Sequence, residues 1–124
     1  MPAGDVLKPR ERIALDEAIR SAETISRFEF SVFIGVSGED PRAFAERLHA
    51  ALTAPDRSIL VLVDPVARAL EVVTGEVVRR TLDDGHVSLA LVAMSTDLAS
   101  GDLVGGLSRG LRTLAYHADR KSVV

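Results

Sequence analysis

Phe28-Glu29-Phe30-Ser31-Val32-Phe33-Ile34-Gly35-Val36, Ser58-Ile59-Leu60-Val61-Leu62-Val63 and Ala69-Leu70-Glu71-Val72-Val73-Thr74 are the three apolar runs that decide the fold. In the first, Phe28, Phe30, Val32, Ile34 and Val36 alternate onto one face of a strand. Phe33 joins Glu29 and Ser31 on the other face, so the middle of this strand is expected to be covered on both sides. The second run does not alternate and consists almost wholly of Val, Ile and Leu, the pattern of a central strand buried on both faces. A five-residue turn from Asp64-Pro65 leads into the third run, which makes that pair antiparallel. The first two runs are separated by a helical segment, which makes them a parallel pair joined by a right-handed crossover.

Working outward, Asp40-Pro41 starts the intervening helix, with an N-cap acceptor followed by a proline at the first helical position. Phe44, Leu48 and Leu52 follow at spacings of four, and Pro55 closes the segment. Upstream, Pro9 opens a charged helix with one apolar stripe, Leu15, Ala18, Ile19, Ala22 and Ile25. Downstream of Gly75 the pattern is helical. A short helix is expected over Glu76–Leu82, then one capped by Asp84 with the stripe Val87, Leu91, Met94 and Leu98. Gly101-Asp102 breaks it, and the last helix carries Val104, Leu107, Leu111, Leu114 and Ala118. Gly106 and Gly110 on that helix allow a neighbouring helix of the same chain to approach closely. The sum is an α/β fold, an α/β/α sandwich with a small mixed sheet (strands at about 28–36, 58–63 and 69–74) and helices on both faces. Residues 9–120 form the single domain, between tails at 1–8 and 121–124. The core is expected from Ile19, Phe30, Val32, Ile34, Phe44, Leu48, Leu60, Leu62, Val72, Leu91, Leu107 and Leu111.

Composition excludes more than it assigns. The 124 residues are enough for one real core. A net charge of −3 and 4% aromatic residues argue against nucleic acid, which needs a basic face and stacking platforms. The chain has no Cys, which removes disulfides, thiolate metal sites and a Cys nucleophile. No apolar run approaches the roughly 18 residues that a membrane span requires, and Met1–Arg12 has no apolar signal region. A soluble cytoplasmic protein is the expectation.

His49, His86 and His117 lie far apart in sequence and form no ligand pair, so each is expected to be solvated or to cap a helix. No Ser sits in a nucleophile elbow. Gly35-Val36-Ser37-Gly38 follows a strand and precedes a helix, but it lacks the third Gly of a dinucleotide turn and the Lys of a P-loop. With Glu39 and Asp40 beside it, it reads as a plain turn. Carboxylates remain. Asp56 precedes the second strand, while Glu76, Asp83 and Asp84 follow the third. Antiparallel pairing brings these positions to one end of the sheet, where they are the candidate ligands for Ca²⁺ or Mg²⁺. Asp64 lies at the opposite end, as a turn residue.

The element order, together with the phrases Ala18-Ile19-Arg20-Ser21-Ala22-Glu23, Asp40-Pro41-Arg42-Ala43-Phe44-Ala45, Ile59-Leu60-Val61-Leu62-Val63-Asp64, Leu70-Glu71-Val72-Val73-Thr74-Gly75 and Ala99-Ser100-Gly101-Asp102-Leu103, resembles the TPM domain superfamily. The resemblance runs over about residues 7–118 and is nearest to a small uncharacterised actinobacterial group of TPM-like proteins. It implies an α/β/α sandwich. It also implies divalent-cation binding and phosphatase activity in some relatives, and membrane-anchored envelope or photosystem-maintenance roles in others. The metal-binding relatives have Asp-Asn-Gly before the second strand, where this chain has Asp56-Arg57-Ser58, with a positive charge in the cation's place. Their Gly-Tyr-Gly after the third strand is here Val73-Thr74-Gly75, and their acidic helix-opening residue corresponds to Asp84. The resemblance therefore points first to a TPM-like domain without catalytic machinery, binding a protein partner, with no cofactor expected. The alternative is a Ca/Mg-dependent phosphatase with a degraded site, and the resemblance also allows peripheral membrane or envelope association.

Overall fold

A computed structural model describes residues 7–119. Among these residues four helices surround a three-stranded sheet in the order β1-β2-β3. The elements are α1 (Pro9–Ser26), β1 (Glu29–Ile34), α2 (Pro41–Ala50), β2 (Ser58–Asp64), β3 (Ala69–Thr74), α3 (Asp84–Ala99) and α4 (Leu103–Ala118). β1 pairs with β2 in parallel, Phe30 beside Ile59 and Ile34 beside Val63, and β2 pairs with β3 antiparallel, Leu60 beside Val73. Every residue of β2 is buried, as its lack of alternation requires.

The period-two geometry of the strands divides the core into two layers. On one face Phe30, Ile34, Ile59, Val61, Val63 and Val72 meet α1, α3 and α4, with Leu15, Met94, Leu107 and Leu111 all buried there. On the other face Leu60, Leu62 and Val73 are covered by α2, whose Ala45 is fully buried and whose Phe44 and Leu48 pack alongside. Phe33 meets Phe44 edge-on, ring centroids 5.3 Å apart, so β1 is covered on both sides at its middle. The expected core residues Ile19, Val32 and Leu91 pack against the first layer only partly buried.

Several boundaries shift, each for a local reason. β1 stops at Ile34 rather than residue 36, because the chain bends to place Ser37 on Asp64 and leaves Val36 73% exposed. Leu52 lies beyond the end of α2. In place of a helix over Glu76–Leu82 there is only a single 3₁₀ turn, Val78–Arg80. That segment is pinned at both ends, by Val77 N–H donating to the Asp56 carbonyl and by Thr81 Oγ1 donating to the Ala118 carbonyl, and Val78 and Leu82 are sealed in the core. The expected tails lie largely outside the described residues; Leu7, placed in the first tail, is buried against the main core.

α3 and α4 form an antiparallel hairpin as close as the paired glycines suggest. A Cβ on Gly110 would sit 2.2 Å from Met94 Sδ, and one on Gly106 would sit 2.8 Å from Asp97 Cβ. Arg109 clamps the hairpin's closed end through Asp97 and Asp102, each at 3.0 Å. Asp102 also caps α4 through the Gly105 amide, and these donors hold its carboxyl below the ordinary carboxylate range. No helix among the described residues is long and apolar enough to cross a membrane.

Candidate functional site

The end of the sheet where β2 begins and β3 ends is built around Gly75. Ala54 and Pro55 lead the chain into a 3₁₀ turn, Pro55–Arg57, and Gly75 lies directly against it. Gly75 N–H donates to the Ser58 carbonyl and Val77 N–H to the Asp56 carbonyl, both at 3.0 Å. A Cβ at position 75 would stand 2.1 Å from the Pro55 carbonyl oxygen and 2.3 Å from that of Asp56. The close approach of two backbones explains why only glycine fits. His49 on α2 supports the same turn from below, buried, with Nε2 3.0 Å from the Ser58 carbonyl oxygen. The Ser58 hydroxyl donates to the Ala54 carbonyl at 2.6 Å.

Above this framework lies a shallow groove of about 350 Å³, lined by Glu46, His49, Asp56, Glu76 and Arg79 among others. Asp56 and Glu76 are therefore brought to one groove, as expected, and Glu46 from α2 joins them. Arg79 reaches back to donate to the Thr74 carbonyl. Asp83 and Asp84 do not line the groove. Asp83 is the N-cap of α3, accepting from the His86 amide at 2.9 Å, and Asp84 is the first helical residue; the expected cap was one position off. Both still fit the rule that acidic residues favour a helix N-terminus.

Arg57 does not enter the groove. Its guanidinium lies 5.1 Å from the Phe28 ring centroid, and Nη2 is 3.4 Å from the Arg27 carbonyl oxygen at the end of α1. The cation that the sequence put in the metal's place is turned to the other side of the strand. Among the described residues, no three His, Asp or Glu side chains converge closely enough to hold a metal ion. What the groove offers is three exposed carboxylates, with one guanidinium beside them.

The histidines correct the sequence reading. His49 is buried, not solvated. His86 and His117 are stacked, ring centroids 4.1 Å apart and planes 11° from parallel, with Tyr116 edge-on to His117. His86 Nδ1 is 3.1 Å from Asp83 Oδ1 without the geometry of a hydrogen bond. The signal for this pair was available: two helices of 16 residues joined by a tight turn must run antiparallel, which sets the start of one beside the end of the other.

At the far end of the sheet Asp64 is 2% exposed, yet fully bonded. Its Oδ2 accepts from the Ser37 amide and hydroxyl at 2.9 and 2.8 Å, and its Oδ1 from the Val66 and Ala67 amides, both at 3.1 Å. The Ala67 and Ser37 donors hold its carboxyl below the ordinary range, against the opposing effect of burial. Asp64 is thus the turn-forming residue the sequence suggested.

A family model described as a domain of unknown function (DUF5130) matches residues 5–115, and the chain belongs to that family. Two Mycobacterium tuberculosis relatives, "Uncharacterized protein Rv2468c" of strain ATCC 25618 / H37Rv and "Uncharacterized protein MT2543" of strain CDC 1551 / Oshkosh, are each 31% identical over 103 residues. The match takes in 83% of this chain and 62% of each relative, so the chain spans about three fifths of the relatives' length. Among solved structures, the BA42 protein of the psychrophilic bacterium Bizionia argentinensis aligns with a TM-score of 0.80 at 18% identity, over 91% of this chain and 81% of that one. The N-terminal domain of the cg2496 protein from Corynebacterium glutamicum aligns with a TM-score of 0.75 at 14% identity, over 94% and 77%. At such identities the likeness is one of fold.

Proposed function

We propose that this member of the DUF5130 family is a TPM-like, non-catalytic module that binds a protein partner through the outer face of α3. The observation that carries this reading is the composition of that helix. From Gly85 to Thr96 it holds no Asp, Glu, Lys or Arg. Its inner side, Ala90 and Met94, is sealed in the core, yet Leu89 and Val92 on the outside are each 66% exposed. Leu89, Val92, Ala93 and Thr96 follow one another at helical spacing on this exposed side. Apolar side chains exposed together on one helix face, without a charge beside them, favour a surface that another protein covers. The reading takes the module as cytoplasmic.

The test is a photo-crosslinking residue at Val92 in native cells, with the same group at exposed Arg10 as the comparison. A discrete protein adduct from position 92 alone, lost when Leu89 is changed to Glu at unchanged melting temperature, is the expected result. Equal adducts from both positions would reject the α3 face.

A divalent-metal phosphatase is the second reading, favoured by the turning-away of Arg57 and by Asp56, Glu76 and Glu46 lining one groove, although they do not converge on a single point. Oxygen ligands brought together from loops are what Ca²⁺ and Mg²⁺ take. Amide shifts around Asp56 and Glu76 that saturate at micromolar Ca²⁺ would promote this reading over the first.

A further inference from the structure

We propose that a second cleft, at the opposite end of the sheet, binds a small amphiphilic monocarboxylate: a hydrocarbon chain of medium length carrying one carboxylate, with Arg68 as its counter-charge. The cleft holds about 430 Å³ between the end of β2, the turn into β3 and the closed end of the α3–α4 hairpin. That volume lies within the range of small-molecule sites, roughly 300–1,000 Å³. Val63, Leu70, Leu98, Ala99 and Leu103 give its wall an apolar character.

One charged side chain on this wall lacks a partner. Asp64 lines the cleft, but its two oxygens are occupied by four donors from Ser37, Val66 and Ala67. Asp97 and Asp102 at the hairpin end are both paired with Arg109. Arg68 is exposed and has no hydrogen-bond or ion-pair partner among the described residues. It also sits at φ 56, a left-handed conformation that costs a non-glycine residue energy and persists where the surroundings hold it. The Asp64 bonds to Val66 and Ala67 fix the turn that imposes it.

The chemistry of the occupant follows from this combination. A single guanidinium matches one carboxylate in a bidentate pair. Walls of this kind take hydrocarbon, and one cation is too little for a multiply charged phosphate. The cleft borders α3 at Ser95, Leu98 and Ala99 and not at Leu89 or Val92 of the outer face, and it does not depend on the partner-binding reading.

The experiment is an amide NMR titration of the full chain with octanoate, and separately with octanol and acetate. Octanoate should shift the amides of Arg68–Leu70 and of Leu98–Leu103 saturably, octanol should shift them more weakly, and acetate should leave them in place. Arg68→Asn removes the charge while tolerating the left-handed backbone. It should weaken octanoate roughly ten- to hundredfold, the loss of one charge-assisted pair, and leave octanol unchanged. Leu98→Glu should abolish binding of both. The proposal is overturned by any of three results: no saturable shift up to millimolar octanoate, equal octanoate affinity in Arg68→Asn and wild type, or shifts centred on the outer face of α3, which would mark indiscriminate detergent-like contact.

Discussion

Substituting Gly75 by Ala should unfold this protein far more readily than a one-carbon change suggests. The new Cβ would lie 2.1 Å from the Pro55 carbonyl oxygen, 2.3 Å from the Asp56 carbonyl oxygen and 2.4 Å from its carbon. All three are backbone atoms of the 3₁₀ turn, so no side chain can rotate out of the way. Either the turn moves as a body or β3 does. Moving the turn strains two hydrogen bonds at 3.0 Å, Gly75 to Ser58 and Val77 to Asp56, and lifts the buried His49–Ser58 contact. Overpacking costs about 1–3 kcal/mol and sometimes more, and the rigidity of the opposing atoms places this case at the upper end, about 3 kcal/mol. For a domain of this size that corresponds to a fall of roughly 12 °C in melting temperature. Thermal melts followed by circular dichroism measure it, with Glu76→Ala as the comparison. Glu76 is exposed next door, and its loss should stay within about 0.5 kcal/mol. A Gly75→Ala protein melting within a few degrees of wild type would show that β3 and the turn are not in contact as described.

Leu62→Ala removes a side chain with 0% exposure from the central strand, where β1 and β3 on either side prevent collapse; urea unfolding should show a loss of about 2–5 kcal/mol, and an unchanged midpoint would remove β2 from the centre. Asp64 has a folded pKa depressed below its ordinary 3.8, so the stability it supplies is present above about pH 4 and disappears as pH falls through the lower folded value. Asp64→Asn should therefore be less stable at pH 7 and show a shallower loss of stability on acidification below pH 4; identical acid profiles would contradict this. Any hydrolysis of a generic aryl phosphate should vanish with EDTA and in Asp56→Ala, since three carboxylates and one guanidinium already bonded to the Thr74 carbonyl supply too little positive charge for a transferring phosphoryl group without a metal. Turnover surviving both would mean that the chemistry lies elsewhere.

The fold was legible because its signals are local and redundant. β2 declares itself as a buried central strand by five consecutive apolar residues without alternation, and the connection lengths on either side dictate one parallel and one antiparallel pairing. Asp40-Pro41 caps α2 as read, with Asp40 accepting from the Ala43 amide at 3.0 Å. The misreadings fall where tertiary contacts override local preference. Residues 76–82 have helical character, but anchors to Asp56 and Ala118 at the two ends hold them to a single 3₁₀ turn. Asp83 and Asp84 were indistinguishable as caps by sequence, since either offers a carboxylate to the first turn.

The candidate site was half legible for a deeper reason. Pairing register is a one-dimensional property, and it brought Asp56 and Glu76 to the same end of the sheet correctly. Side-chain direction is not. Arg57 could have blocked the groove or left it, and what decides the matter is the Phe28 ring and the Arg27 carbonyl on a strand and helix end about thirty residues away. Glu46 entered the groove from α2 with no sequence signal at all, because a helix packed across a sheet contributes whichever residue its crossing happens to present. The same holds at the far end. Nothing in the turn Asp64–Arg68 announces a cleft; it exists because the α3–α4 hairpin closes at Gly101 beside the end of β2, leaving apolar wall that neither element covers. Arg68 gains its role only from that placement. The neighbouring carboxylates already have their donors, Asp64 from Ser37, Val66 and Ala67 and Asp97 and Asp102 from Arg109, so among the described residues a guanidinium of ordinary exposure is left without a partner at an apolar opening.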